Sequence, residues 1–289
     1  MQNNPLPYIT DCPVGCTAPI VDTTLIVDEG ALRRCSGCGQ LLSRASEARY
    51  WETMAQFDAG EFNLIDGQAL GRRDAVAQRR LARIAALLSK APRDIRLCDI
   101  GCSRGQFVAA AIGAGFPAEG VEPAPRIAEA ARRAGRPVRT GLLEDQKFSD
   151  ATFDALTLFE VVEHLRAPLP LLAECRRILK PGGILLISTG NAASWTTAAM
   201  GARWDYFDMT RDGGHISFFN PQSMAQLAAN AGFRVERIDT ARVKFADREN
   251  TPRLRYVLGK LVAEALNLPA QLTGRGHDLL AYLRKPSAG

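Results

Sequence analysis

The sequence predicts an α/β protein with a doubly wound, mostly parallel seven-stranded sheet and a small N-terminal module. Three observations carry this. From residue 94 onward, short apolar runs alternate with helix-like segments, the pattern of strand–helix–strand units closing on a parallel sheet. Four of the seven cysteines fall within the first 38 residues, in two close pairs. The 289-residue length suits one large domain plus an appendage, and a chain of this size buries roughly 75% of its unfolded surface. With 46% hydrophobic residues and no low-complexity run, disorder is excluded, and the formal charge of +5 does not by itself specify a nucleic-acid partner. The longest uncharged stretch, 181–202, is too interrupted by polar residues and glycine for a membrane span. Met1-Gln-Asn-Asn-Pro5 lacks the features of an export signal, so a cytoplasmic location is expected.

The N-terminal module, residues 1–43, is read from Cys12-x3-Cys16 and Cys35-x2-Cys38. Two close pairs separated by 18 residues suit a tetrahedral zinc ion with four thiolate ligands, a closed site without an open catalytic position. Ile20–Val27, rich in β-branched residues, would form the body of the intervening hairpin. A disulfide framework suits exported chains, and a thiol redox pair is the other alternative. Zinc here either substitutes for a core too small to form alone or builds a substrate-recognition ribbon. Cys98, Cys102 and Cys175 are expected to be buried structural thiols.

Residues 44–92 read as a helical linker or cap. Val76, Leu81, Ile84 and Leu88 mark its apolar face, with Arg72, Arg73, Arg79, Arg80 and Arg83 largely on the other, read as a solvated face with contact to an anionic substrate as the alternative. The large domain then spans 93–289. Its strands are expected at 95–100, 118–122, 137–140, 153–159, 184–188, 233–239 and 277–283. Helices are expected at 105–114, 125–134, 168–179 (stopped by Lys180-Pro-Gly-Gly183), 221–231 and 252–267. Ligands on such sheets sit beyond the carboxyl ends of the strands. The loop after the first strand is Asp99-Ile-Gly101-Cys102-Ser103-Arg-Gly105-Gln-Phe107, whose glycines admit close backbone approach. Glu122, about 20 residues on at the end of the second strand, can accept hydrogen bonds from ribose hydroxyls. Asp99 favours a ligand with a positive charge over a pyrophosphate.

These residues resemble the class I S-adenosylmethionine-dependent methyltransferases, which have a Rossmann-like fold. The loop is similar to the D-x-G-x-G-x-G signature, with Ser103 in place of the middle glycine. Asp154, the segment Phe159-Glu-Val-Val-Glu-His-Leu165 and the segment Leu179–Thr189 resemble later blocks in the right order. The resemblance implies that Asp99, Gly101, Cys102, Ser103 and Gly105 cradle the amino-acid end of the cofactor. It places Glu122 on the ribose, Pro123, Leu142 and Leu143 around the adenine, and Phe107, Phe159 and Glu160 near the rest of the cofactor, with Phe159 and Glu160 facing the sulfonium.

Glu160-x-x-Glu163-His164 would share one face of a helix and resembles the E-x-x-E-H motif of ubiquinone-biosynthesis O-methyltransferases and small-RNA 2′-O-methyltransferases. That resemblance implies a second divalent metal on Glu160, Glu163, His164 and His215. The alternative is that Glu163 and His164 cap the helix start. His164, His215 and Glu160 are the candidate catalytic residues, with either histidine as base. The segment 190–220, with Asn191, Trp195, Trp204, Tyr206, Phe218 and Phe219, is expected to cover the acceptor. It looks like bacterial methyltransferases with an N-terminal cysteine ribbon, which implies O-methylation of a small-molecule, glycan or lipid-linked hydroxyl. An RNA methyltransferase is the alternative, since a zinc module joined to this fold also occurs there, but no histidine lies near the cysteines. A non-catalytic protein that binds cofactor and a partner is the third reading. The oligomeric state is not legible in the sequence.

Overall fold

The computed structural model describes residues 6–58, 67–245 and 251–287, with the backbone alone at 56–58, 67–73 and 211–212. The expected Arg72 and Arg73 side chains lie outside the described residues.

The N-terminal chain forms an antiparallel hairpin, β1 (Ile20–Val27) and β2 (Gly30–Cys35), followed by the two-residue strand β3 (Leu41–Leu42). Helices α1 (Glu47–Asp58) and α2 (Gly67–Leu88) fall within the expected helical span, of which 59–66 lies outside the described residues. The large domain then runs β4 (Leu97–Ile100), α3 (Gln106–Gly113), β5 (Ala118–Glu122), α4 (Pro125–Arg133), β6 (Val138–Thr140), β7 (Phe153–Phe159) and α5 (Pro168–Ile178). It continues with β8 (Leu179–Gly190), α6 (Trp195–Met200), α7 (Met209–Asp212), β9 (Ser217–Phe218) and α8 (Pro221–Asn230). It closes with β10 (Arg234–Ala241), α9 (Arg253–Leu272) and β11 (Asp278–Arg284).

Seven strands form one sheet in the order β10-β11-β8-β7-β4-β5-β6. The five strands from β8 to β6 are parallel, whereas β11 runs antiparallel to both β8 and β10. Alternation along each strand supplies both faces. Leu97, Ile184 and Leu186 pack under Leu81 and Ile84 of α2, while Cys98, Ile100, Leu185 and Ile187 pack against Leu172 of α5 and Leu227 of α8. Because the chain leaves β4 toward β5 and returns on the other side at β7, the topological switch lies between β4 and β7. The crevice at their carboxyl ends is the place for a ligand.

Two local expectations need correction. Lys180-Pro-Gly-Gly183 does not separate helix from strand: α5 ends at Ile178, and β8 starts at Leu179, pairs with Phe153 and resumes regular pairing at Ile184 after a register shift. The last helix extends beyond 267 to Leu272, with Pro269 inside it. The N-terminal sheet also borrows from the large domain, because β9 pairs antiparallel with β3 through Leu41↔Phe218 and Leu42↔Ser217. Such a short strand carries no sequence period; its pairing is fixed by tertiary packing.

Candidate active site

The loop after β4 turns through three left-handed residues, Gly101 (φ +68°), Ser103 (φ +50°) and Gly105 (φ +70°). A Cβ on Gly101 would stand 2.6 Å from Val161 Cγ2, so this position has no room for a side chain. The amides of Gly101 and Cys102 donate to the Val121 carbonyl at 2.8 and 3.1 Å. The Glu122 carboxylate accepts from the amides of Ser103 (2.7 Å) and Ala124 (2.9 Å) and is 3% exposed. Asp99 is equally buried and accepts from Thr157 Oγ1 at 2.6 Å; burial pushes its pKa up to about 7.

The other loop positions divide into surface and core. Pro123 is exposed beside Glu122, and Leu142 is 51% exposed. Leu143, expected beside the adenine, instead packs into the main core with Phe148 and Val121. Cys102 turns its thiol into a core pocket with Val108, Ala128 and Ala131, so only its backbone faces the loop. Phe107 meets Phe159 edge-to-face at 4.6 Å. Cys98 and Cys175 are fully buried, and burial raises both thiols.

Beyond β7 the expected helix face does not form. Glu160 has φ +55°, and only a single 3₁₀ turn, Val162–His164, follows. The i, i+3, i+4 argument for Glu160, Glu163 and His164 therefore fails, because a left-handed residue breaks the helical path. Glu160 instead takes a hydrogen bond from the Tyr206 hydroxyl and another from Ser188 Oγ at 3.3 Å. Arg80 leaves the arginine face of α2, stacks 4.7 Å from the Phe159 ring and donates to Ser188 Oγ at 3.4 Å. Its inward turn was invisible to helical periodicity, since the partners come from β7 and β8.

Glu163 is fully buried, and among the described residues neither carboxylate oxygen has a partner of hydrogen-bond geometry; the same holds for His164 Nδ1. The alternative in which these residues cap a helix is thereby overturned, as the 3₁₀ turn has no side-chain cap. Donor atoms of Glu163, His164 and His215 all lie within 4.8 Å of one another, and the two imidazoles meet edge-to-face at 4.7 Å. Glu160 stands outside this trio. Burial, followed by the charge of Glu160, holds the Glu163 carboxyl well above the usual range. Burial lowers His164 to about 3 and His215 to about 4, so both rings are neutral at pH 7.

The 190–220 segment folds over this mouth. Tyr206 is sandwiched between His215 (5.0 Å) and the buried Trp204 (4.9 Å), and Trp204 Nε1 donates to His277 Nδ1 at 3.3 Å. Gly190 admits these rings, since a Cβ there would lie 2.6 Å from Tyr206. His215 Nδ1 lies 3.2 Å from the Tyr206 carbonyl. Tyr50 of α1 reaches the His164 carbonyl at 3.0 Å.

The thiols of Cys12, Cys35 and Cys38 gather within 4.8 Å of one another, with Cys12 and Cys38 at 3.5 Å, and all seven cysteines are free. Cys16 lies beside Cys35 but outside the trio. This cluster is continuous with the main core, which also holds Phe219, Met224 and Leu227, and Asn220, the N-cap of α8, donates to the Cys38 carbonyl at 3.2 Å.

A family model described as a methyltransferase domain matches residues 69–238, more than half of the chain. The ubiquinone biosynthesis O-methyltransferase of Thiobacillus denitrificans is 30% identical over 154 residues, covering 50% of this chain and 66% of the relative. That of Cereibacter sphaeroides is 34% identical over 148 residues, 48% of this chain and 60% of the relative. The namesake from Xanthomonas axonopodis is 30% identical over 185 residues, 61% of this chain and 76% of the relative. The chain thus spans less than two thirds of the first two relatives. Among solved structures, Burkholderia thailandensis 1,6-didemethyltoxoflavin-N1-methyltransferase superposes with a TM-score of 0.52 at 18% identity, covering 87% of this chain and 98% of that one. An S-adenosylmethionine-dependent methyltransferase from Archaeoglobus fulgidus gives 0.50 at 20% identity, over 72% and 94%. These two share the fold. The chain belongs to the methyltransferase-domain family.

Proposed function

We propose that the protein moves the methyl group of S-adenosylmethionine to a hydroxyl of a small-molecule, glycan or lipid-linked acceptor. The observation that carries this is the Glu163–His164–His215 cluster beyond the carboxyl end of β7, enclosed by the 190–220 segment. The O-methyltransferase names of the relatives support the same chemistry.

In this reading the Asp99–Gly105 loop holds the amino-acid end of the cofactor, with Asp99 supplying negative charge. The Glu122 carboxylate, which accepts the Ser103 and Ala124 amides, would also accept a ribose hydroxyl. Pro123 and the exposed Leu142 flank the adenine, while Phe159 and Glu160 face the sulfonium. Methyl transfer is an in-line displacement, so the protein aligns the two reactants and takes the acceptor's proton. Without a bound cation, His164 or His215, neutral and close together, is the candidate base; Tyr206 stacks on His215 and holds Glu160.

The partnerless oxygens of Glu163 and Nδ1 of His164 fit a divalent cation, with His215 as third ligand; Glu160 drops out of the set. Such an ion would lower the pKa of a bound acceptor hydroxyl. Cys12, Cys35 and Cys38 fit three ligands of a structural zinc ion, which would offset the crowding of three thiols in the core, and Cys16, beside Cys35, would turn in as the fourth.

The test is methyl transfer from labelled cofactor to a panel of phenols, glycosides and polyprenyl-linked sugars, with the methylated atom located by mass spectrometry. Label on oxygen in one of these classes is expected. Label appearing only in RNA, or only on nitrogen, would overturn the reading.

A further inference from the structure

One face of α9 has no counterpart elsewhere in the described residues. Leu254, Val257, Leu258, Leu261, Leu268 and Leu272 are between 45% and 80% exposed. At about 100° per residue they fall in a single sector of the helix. The buried residues on this helix are small, Ala263 and Ala270, and they lie on the opposite side against Val243 and Trp195. Between the two sides stand Arg255 on one flank and Arg253 and Lys260 on the other, all exposed. The helix carries a single acid, Glu264, 3.8 Å from Lys260.

We propose that α9 docks the protein on an anionic phospholipid surface, lying in the plane of the interface with its leucine stripe inward. A low overall hydropathy combined with one continuous apolar stripe is the signature of an interfacial helix. No helix among the described residues is long and apolar enough to cross a membrane. The basic residues sit on both edges of the stripe, where phospholipid headgroups would surround a half-sunk helix. A second copy of the chain would bring the same cations together, and like charges oppose that association.

The inner side of α9 meets Trp195, the first residue of α6, and Lys244 Nζ bonds Asp205 of the acceptor-covering segment at 2.8 Å. Docking would therefore set the acceptor mouth near the lipid. That consequence rests on the proposed lipid-linked hydroxyl; the docking itself does not.

The experiment is flotation of the full chain with phosphatidylcholine vesicles, with and without phosphatidylglycerol, at low and high salt. Binding is expected only with phosphatidylglycerol and should weaken with salt. The double variant Leu258→Glu/Leu261→Glu, at exposed positions, should reduce the bound fraction on the order of tenfold while leaving melting temperature and cofactor affinity unchanged. Failure of the wild type to float with phosphatidylglycerol vesicles overturns the proposal, as does undiminished flotation of the folded double variant. Light scattering that shows a dimer dissolved by the same substitutions assigns the face to a second copy and also overturns it. A wild type that floats but lacks methyl transfer to any hydroxyl leaves docking standing and removes the enzymatic reading alone.

Discussion

The Ser103 amide donates to Glu122 at 2.7 Å, tying the cofactor loop to the acid at the end of β5. One carboxylate thus shapes the loop and, in the proposed function, would also hold the ribose. Glu122→Gln should raise the dissociation constant for S-adenosylmethionine about tenfold, by loss of a charge-assisted hydrogen bond. Glu122→Ala should do more, and should also lower stability by about 1–3 kcal/mol, because the Ser103 and Ala124 amides lose their acceptor. Calorimetry and thermal melts read these separately. Unchanged cofactor affinity in Glu122→Ala would falsify the ribose assignment.

Ser103 occupies a left-handed conformation, which disfavours a non-glycine residue by about 1–2 kcal/mol. Ser103→Gly relieves that strain but gives the unfolded chain more freedom, worth about 0.4–1 kcal/mol in the other direction. The melting temperature should move little, and cofactor affinity should stay within about threefold. A β-branched residue has no such escape: Ser103→Val should melt clearly lower.

Asp99 retains its proton in the folded protein up to about pH 7, whereas in the unfolded chain it ionises near its ordinary value of about 3.9. The folded state therefore binds the extra proton between those values, and this group's contribution to stability declines as pH rises through that window. Asp99→Asn should gain melting temperature relative to wild type at about pH 8 and gain less at about pH 5. A cationic cofactor favours the ionised form, so its binding should release a proton near pH 6, measurable by calorimetry in buffers of different ionisation enthalpy. Equal heats across those buffers would remove Asp99 from the site.

Chelation should not melt the cysteine module alone. Cys12, Cys35 and Cys38 share a core with Phe219, Met224 and Leu227. Metal analysis should find one zinc per chain, and stripping it, or Cys38→Ser, should lower the whole chain's melting temperature in a single transition. An unchanged melt after complete chelation would argue for plain buried thiols.

At the acceptor mouth, Glu163→Gln should leave the melting temperature unchanged or higher, since its buried carboxyl is held protonated without metal. The same change should abolish any divalent-cation stimulation of methyl transfer. Tyr206→Phe should lower kcat about tenfold with little effect on cofactor affinity, because Glu160 loses the hydroxyl that positions it. A parallel loss of cofactor affinity would place Glu160 on the cofactor instead.

Strands such as Phe153–Phe159 and Ala118–Glu122 were readable to the residue, because buried apolar runs end at turn-forming residues. The glycine loop and Glu122 were readable for a related reason: their spacing follows from one strand–helix–strand unit. What escaped depends on contacts between distant segments. The inward turn of Arg80 needs Ser188 and Phe159, and β9 exists only because β3 is there to pair with it. Glu160 misled for a local reason, since helical spacing assumes a backbone that its positive φ interrupts.

β9 begins two residues after His215, and the Ile216 amide and carbonyl join Glu163 and Ser43 respectively, at 3.0 and 2.9 Å. Residues 6–43 are thus tied to the large domain and form no detachable cassette. A ribbon grafted from another chain would have to reproduce the Leu41↔Phe218 register or displace the histidine it anchors. Recombination at this boundary should yield proteins that fold yet misplace that imidazole, so inheritance of the two parts would be expected to proceed together.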